Sequence, residues 1–317
     1  MLRACTALLV VSVLAGCASE PTMPEHPPRA EPLVPVTATG RPVVAFVLGG
    51  GGARGFAHPG ALKVFDEAGI RPDLVVGTSA GSFAGALYAG GIRGDKLIEA
   101  ALTVQREEIV AFVFPHRGFI DAEKLRDYVN RSLGGRTIEQ LELPFVAVAT
   151  ELRSGSLVAF NRGETGMAVR ASCSVPVVFQ PAPIEGKEYV DGGLVSPLPV
   201  RVARALGADL VIAVDVSRQP GERKDFEHTT DILSHSFVVM EHALAESESE
   251  LADVVVRPDL TKVRATDLAA RGPAIAAGEE AARAALPRIR ALIEQKTAAK
   301  ARAEPGYSST PMRRSSE

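Results

Sequence analysis

Two short, uninterrupted apolar runs, Val43–Leu48 and Leu74–Val76, each lead straight into a glycine-rich turn and then into a helical pattern. A run without polar alternation suits a strand buried on both faces, and strand–turn–helix units that return to another such strand build a parallel sheet covered by helices. Phe145–Ala149, Leu210–Val216 and Asp253–Val256 read as further strands, and helical patterns fall at 80–89, 94–106, 121–132, 198–206, 228–251 and 274–295. The expected fold class is α/β with a mostly parallel central sheet. Ligands of such sheets bind at the carboxyl ends of the strands, which is where the two glycine turns lie.

Composition removes several classes of function. Hydrophobic residues are 46% of the 317 and charged residues 23%, a balance too apolar for disorder and too charged for a polytopic membrane protein. Lys and Arg number 35 against 38 Asp and Glu, a net charge of −3, so no basic excess exists for nucleic acid to recognise. Cysteines at 5, 17 and 173 cannot build a disulfide framework or a four-ligand zinc site.

The ends of the chain read separately from its middle. After Arg3, Ala4–Ser19 is uncharged and rich in Leu and Val, shorter than the ~20 residues of a membrane-spanning helix. It stops at Leu14-Ala15-Gly16-Cys17, which resembles a bacterial lipobox: residues 1–16 would be the signal peptide and Cys17 the lipid attachment site. An ordinary secretory signal cut after Gly16 or Ser19 is the alternative. Seven prolines between Glu20 and Pro42 mark residues 17–41 as an extended tether. Its free length after Cys17 would be roughly 75 Å at ~3.1 Å per residue. Residues 42–295 would form the folded unit, and residues 296–317 a disordered tail.

The chemistry sits in three glycine-rich turns. Gly77-Thr78-Ser79-Ala80-Gly81 is a G-x-S-x-G sequence between a strand and a helix. A serine on so sharp a turn is crowded by the residues two before and two after it, which must then lack side chains, and its hydroxyl stands at a helix N-terminus that favours a developing anion. In a chain with 29 glycines the pattern alone is common by chance; its strand–helix context favours a nucleophile over a packing turn. Gly50–Gly55 also matches the dinucleotide fingerprint G-x-G-x-x-G. That reading requires an acidic residue ending the second strand, where Gly77 and Thr78 stand instead. The backbone N–H groups of Gly50, Gly51 and Gly52 fit an oxyanion hole better. Arg54, within the same loop, suits a structural carboxylate partner more than a substrate phosphate. The third turn, Asp191-Gly192-Gly193, is by itself most simply a turn. Of the histidines, His228, His235 and His242 recur at seven-residue intervals on one helix face, a packing stripe rather than a loop-borne base. His58 is placed to position the glycine loop, His26 falls in the tether, and His116 has no motif around it. Cys173 reads as a packed core residue.

In this order, Gly50–Gly55, Gly77–Gly81 and Asp191–Gly193 resemble the patatin-like phospholipase family, especially its bacterial branch related to the neuropathy target esterase domain. The likeness extends through Arg54–Gly60, Ala171–Phe179 and Leu194–Val200, and covers about residues 43 to 215. It implies a three-layer α/β/α sandwich and a serine–aspartate dyad without histidine, with Ser79 as nucleophile, Asp191 as base, and Gly50, Gly51 and Gly52 as the oxyanion hole. Arg54, Gly55, Gly77, Gly81, Gly192 and Gly193 complete the motifs. The implied activity is acyl-ester hydrolysis of a phospholipid or lysophospholipid, with no metal or organic cofactor required. Acyl transfer or thioester cleavage on the same dyad, and a non-enzymatic envelope lipoprotein, are the alternatives.

A lipobox cysteine places the protein in the bacterial cell envelope, and Ala18 resembles an outer-membrane sorting residue where the organism has an outer membrane. Two or more acyl chains hold a protein on a membrane stably without a spanning helix. In the native host, Cys17→Ser is expected to lose incorporated fatty acid and to move from the membrane to the soluble fraction. Unchanged fractionation with no lipid lost would contradict the anchor.

Overall fold

The computed structural model describes residues 25–109, 111–112, 120–222 and 225–303. The proposed leader, Cys17, His116 and the chain beyond 303 lie outside the described residues. In chain order the strands are β1 (Val44–Leu48), β2 (Leu74–Thr78), β3 (Ala111–Phe112), β4 (Ile120–Asp121), β5 (Phe145–Glu151), β6 (Leu157–Phe160), β7 (Ala182–Ile184), β8 (Lys187–Asp191), β9 (Leu210–Val214) and β10 (Val254–Val256). The helices are α1 (Ala57–Glu67), α2 (Ala80–Ala89), α3 (Asp95–Thr103), α4 (Arg106–Ile109), α5 (Glu123–Ser132), α6 (Thr165–Ser172), α7 (Val200–Ala205), α8 (Thr229–Ser249) and α9 (Arg271–Ala303).

One sheet organises the chain, in the order β10-β9-β1-β2-β5-β8-β7, with β6 also paired to β5. The five strands from β10 to β5 are parallel, as the continuous apolar runs predict. Their register sorts side chains onto two faces. Val44, Phe46, Leu48, Val75, Phe145, Ile212 and Val214 face a core built with α1, α2 and α9, whereas Ala45, Val47, Val76, Val146, Val148 and Ala213 face a thinner layer of small residues under α7 and α8. This is an α/β/α sandwich. Its larger core centres on Phe46, whose ring lies 5.1 Å from that of Phe65 and 6.1 Å from that of Tyr88.

Three features depart from the sequence reading. β6, β7 and β8 turn the sheet antiparallel beyond β5. β5–β6 and β7–β8 are hairpins whose short turns leave no room for the crossover that a parallel pair requires, while α6 lies between β6 and β7. The proline-rich arm, from His26 onward, is laid on the domain. Arg29 N–H donates to Arg162 O at 3.0 Å, Val36 N–H donates to Leu206 O at 2.8 Å, and Leu33 and Val36 pack on the thinner core. Helix α9 continues past residue 295 to Ala303 because Lys296 and Lys300 clamp it to Asp253 (3.0 Å) and Asp209 (2.7 Å).

Phe46 has no exposed surface, and truncating it leaves a cavity that the rings of Phe65 and Tyr88 cannot fill. Phe46→Ala is expected to destabilise the fold by about 3–5 kcal/mol in urea unfolding. A loss under about 1 kcal/mol would show that the core collapses around the gap.

Candidate active site

The turn after β2 carries the site. Ser79 takes φ 52°, ψ −126°, a left-handed conformation that costs a non-glycine residue of order 1–3 kcal/mol and persists only where its surroundings enforce it. A Cβ on Gly81 would stand 2.0 Å from Leu48 O, and one on Gly77 would stand 2.5 Å from Gly81 O. The turn is therefore as sharp as the G-x-S-x-G spacing predicts. Side-chain bonds then fix it. Ser79 N–H donates to Ser172 Oγ (2.9 Å), and Ser172 in turn donates to Val148 O on β5 (2.6 Å). Ser82 Oγ donates to Ser79 O at 2.7 Å, and Thr78 Oγ1 donates to Ser196 O at 2.8 Å.

β5 is the spacer that brings the partner in. Thr78 pairs with Val148 on one side of β5, and Asp191 pairs with Ala149 on the other. The antiparallel β8 thus delivers Asp191 to the level of Ser79, and Ser79 Oγ donates to Asp191 Oδ2 at 2.6 Å. The second carboxylate oxygen, Oδ1, accepts the Gly193 N–H at 2.7 Å, while Asp191 N–H donates to Ser174 O at 2.9 Å. Gly192 and Gly193 are the short turn that wraps this carboxylate. Both side chains are nearly buried, Ser79 at 7% and Asp191 at 5% exposure. Burial pushes the Asp191 carboxyl up to about 7, against its hydrogen bonds from Ser79 and Gly193; the charge of Glu241 pushes the same way. Glu241, on α8, stands with Oε1 2.9 Å from where a Cβ on Gly193 would be.

The glycine loop lies beside the serine, with Gly50 at the Ser79 Cβ, Gly55 against Ala80, and Gly51 against Val216. One expectation is corrected. Gly50 N–H donates to Pro197 O at 2.9 Å, so it is not free to hold an oxyanion. The N–H groups of Gly51, Gly52 and Ala80 have no acceptor among the described residues. Ala80 opens α2, directly after the serine, and sequence reading passed over it although its position in the turn signals a donor. His58 is buried with Nε2 2.8 Å from Gly49 O; burial lowers its pKa to about 4, so its neutral ring donates to the loop and props it. Arg54 is buried and paired with Glu222 at 2.9 and 3.1 Å, which gives it a structural carboxylate. Cys173 packs with Sγ 3.8 Å from Ser82 Oγ, and burial pushes its thiol up. Neither Ser79 nor Asp191 hydrogen-bonds a histidine among the described residues: His228 begins α8, His235 packs on Phe226 at 4.7 Å, and His242 lies further along the helix.

The family model described as patatin-like phospholipase matches residues 46–204, half of the chain, and takes in the glycine loop, the serine turn and the aspartate turn. The chain belongs to the patatin-like phospholipase family. Among its relatives is an uncharacterized NTE family protein of Mycobacterium tuberculosis, 37% identical over 196 residues that make up 61% of this chain and 54% of the relative. Patatin-like phospholipase domain-containing protein 6 of Homo sapiens is 33% identical over 229 residues, 70% of this chain and 16% of the relative. The chain thus spans about half the length of the mycobacterial relative and a much smaller part of the human one. Among solved structures, VipD from Legionella pneumophila aligns with a TM-score of 0.44 at 15% identity, over 83% of this chain and 70% of that one. The type III effector protein ExoU aligns with a TM-score of 0.45 at 16% identity, over 81% and 54%.

The patatin-like site makes a titration prediction. Carbon-detected NMR of labelled aspartate is expected to give Asp191 a midpoint near pH 7, and Glu241→Gln should lower it by removing a neighbouring negative charge. A midpoint near 4 in the native protein would contradict the burial argument.

Proposed function

We propose that this chain is a serine acyl-ester hydrolase of the phospholipase or lysophospholipase type, working through a Ser79–Asp191 dyad. The observation that carries the reading is the 2.6 Å hydrogen bond from the strained Ser79 hydroxyl to a buried carboxylate. Family membership supports lipid-ester hydrolysis as the chemistry.

Asp191 Oδ2 takes the Ser79 proton as Oγ bonds to the ester carbonyl carbon and the carbonyl electron pair moves onto oxygen. The oxyanion meets the unpartnered N–H groups of Gly51 and Gly52, with Ala80 at the α2 N-terminus as a further donor; losing one such donor costs about 10²–10³ in kcat. Collapse breaks the bond to the alcohol, which leaves with the proton held on Asp191. Water then gives a proton to Asp191 and its oxygen to the acyl carbon. The second collapse frees the fatty acid, and the proton returns to Ser79. A carboxylate with a pKa of about 7 is a far stronger base than an exposed aspartate, which is how the dyad dispenses with histidine.

The reading keeps Cys17 as the lipid attachment site and the cell envelope as the location, on the strength of the sequence. With the arm attached to the domain from His26, only residues 18–25 separate that cysteine from the folded unit, a reach of about 25 Å at ~3.1 Å per residue. A hydrolase held that close works on its own leaflet.

Ser79→Ala and Asp191→Asn should each lower turnover of a short-chain nitrophenyl ester by at least about 10³-fold while the circular dichroism spectrum is kept. His228→Ala, His235→Ala and His242→Ala should each stay within about threefold of the parent. A folded but inactive histidine variant would replace the dyad with a triad, and an active Ser79→Ala would end the proposal.

A further inference from the structure

The aspartate turn runs on into a stretch with no hydrogen-bond ladder of its own. Between the single helical turn at Gly192–Leu194 and the start of α7 at Val200, Val195 to Pro199 lie in neither helix nor strand. Pro197 and Pro199 have no N–H to donate. The hold on this stretch has to come from other parts of the chain.

Three backbone groups on two consecutive residues of the stretch reach all three glycine-rich turns. Ser196 N–H donates to Gly192 O at 2.9 Å, in the aspartate turn. Ser196 O accepts from Thr78 Oγ1 at 2.8 Å, in the residue before Ser79. Pro197 O accepts the Gly50 N–H at 2.9 Å, in the glycine loop. The serine turn, the aspartate turn and the glycine loop thus meet at Ser196 and Pro197.

The side chain of Ser196 ties this junction to α8. Ser196 Oγ donates to Glu248 Oε1 at 2.5 Å, and Glu248 Oε2 accepts the Arg201 N–H at 3.1 Å. Ser196 has no exposed surface and Glu248 is 3% exposed. Among the described residues no lysine or arginine side chain pairs with Glu248; the guanidinium of Arg201 bonds Ser247 Oγ instead, at 2.9 Å. A glutamate enclosed to that degree without a cation is rare and depends on its hydrogen bonds. A carboxylate gives each of the two donors an acceptor, whereas a glutamine has one and would turn its own NH₂ toward the other donor. Glu241 stands seven residues earlier, on the same helix face, with Oε1 2.9 Å from where a Cβ on Gly193 would be, and the fully buried Ala245 lies between the two. The inner face of α8 therefore lies along the chain that follows Asp191.

We infer that Ser196, held by Glu248, is a positioning residue for the Ser79–Asp191 pair: their buried hydrogen bond fixes the point at which the three turns meet. The inference rests on the hydrolase reading. Neither side chain touches the reacting atoms. Releasing the junction lets the serine turn, the aspartate turn and the glycine loop shift against one another, and misalignment of that kind is paid in turnover rather than in affinity.

The test compares the full chain with Ser196→Ala, Glu248→Ala, Glu248→Gln and the double variant Ser196→Ala with Glu248→Ala. Turnover of a soluble nitrophenyl ester is expressed per folded molecule, the folded fraction being taken from circular dichroism. Ser196→Ala and Glu248→Ala are each expected to lower kcat about ten- to a hundredfold with KM within about twofold of the parent. The double variant should fall no further than the worse single one, since both remove the same bond. Glu248→Gln, which can still accept from Ser196, should recover part of the loss. A bond that served stability alone would lower the urea midpoint and leave kcat per folded molecule as it was. A Ser196→Ala kcat within about twofold of the parent, or a loss confined to KM, overturns the inference. Where the alanine variants do not fold, Glu248→Gln decides: a lower kcat at unchanged KM supports the junction, and a kcat equal to the parent's removes it. Hydrogen exchange by NMR gives a readout that needs no turnover. The Gly193 amide should exchange about tenfold faster in Ser196→Ala, with the Phe46 amide of β1 unchanged. If the parent cleaves no ester, the hydrolase reading falls and the exchange decides alone. Faster exchange at Gly193 then keeps Ser196 as the junction, and exchange equal to the parent's overturns it.

Discussion

A serine at φ 52°, ψ −126° does not hold that conformation by itself, and the fold around it is arranged to enforce it. Gly81 lies so close to the end of β1 that no side chain fits between them, and Ser172 ties the Ser79 amide to β5. The hydroxyl stands at the start of α2, where unpaired N–H groups accumulate. The parallel strands, the tight helix approach and the antiparallel return through β8 all bear on where this hydroxyl points.

The second constraint is electrostatic. Asp191 is enclosed, accepts two hydrogen bonds, and has Glu241 close by, so its carboxyl stands near 7 where an exposed aspartate would stand near 4. Geometry and basicity come from the same packing: the layer that excludes water from Asp191 also holds it 2.6 Å from the serine. His58, the histidine closest to the glycine loop in sequence, is kept neutral by burial and serves as a prop on Gly49.

Much of this was legible in the chain itself. The glycine spacings around Ser79 state a steric demand that is local, and the apolar runs state a parallel sheet, so both could be read without tertiary knowledge. Asp191 was different. An Asp-Gly-Gly turn carries no chemistry in isolation, and its proposed role came through resemblance; the register across β5 is what brings it level with Ser79. Ser172 and Glu241 act through contacts between elements distant in sequence and left no local signal. Gly50 was misjudged because glycine composition tells where N–H groups are exposed but not where they point, and Pro197 O is far away in the chain. The arm from His26 to Val36 was read from its prolines as free, yet extended backbone also suits lying along a surface, and Leu33 and Val36 supply apolar contact.

The central claim is that the Ser79 hydroxyl is activated by Asp191 alone. It is tested most directly by reacting the protein with a fluorophosphonate probe across pH and mapping the adduct by mass spectrometry. The account requires one adduct, on Ser79, formed at a rate that falls as pH drops below about 7, where Asp191 gains its proton, and lost in Asp191→Asn. An adduct on another residue, or labelling of Ser79 at an undiminished rate in Asp191→Asn, would contradict it.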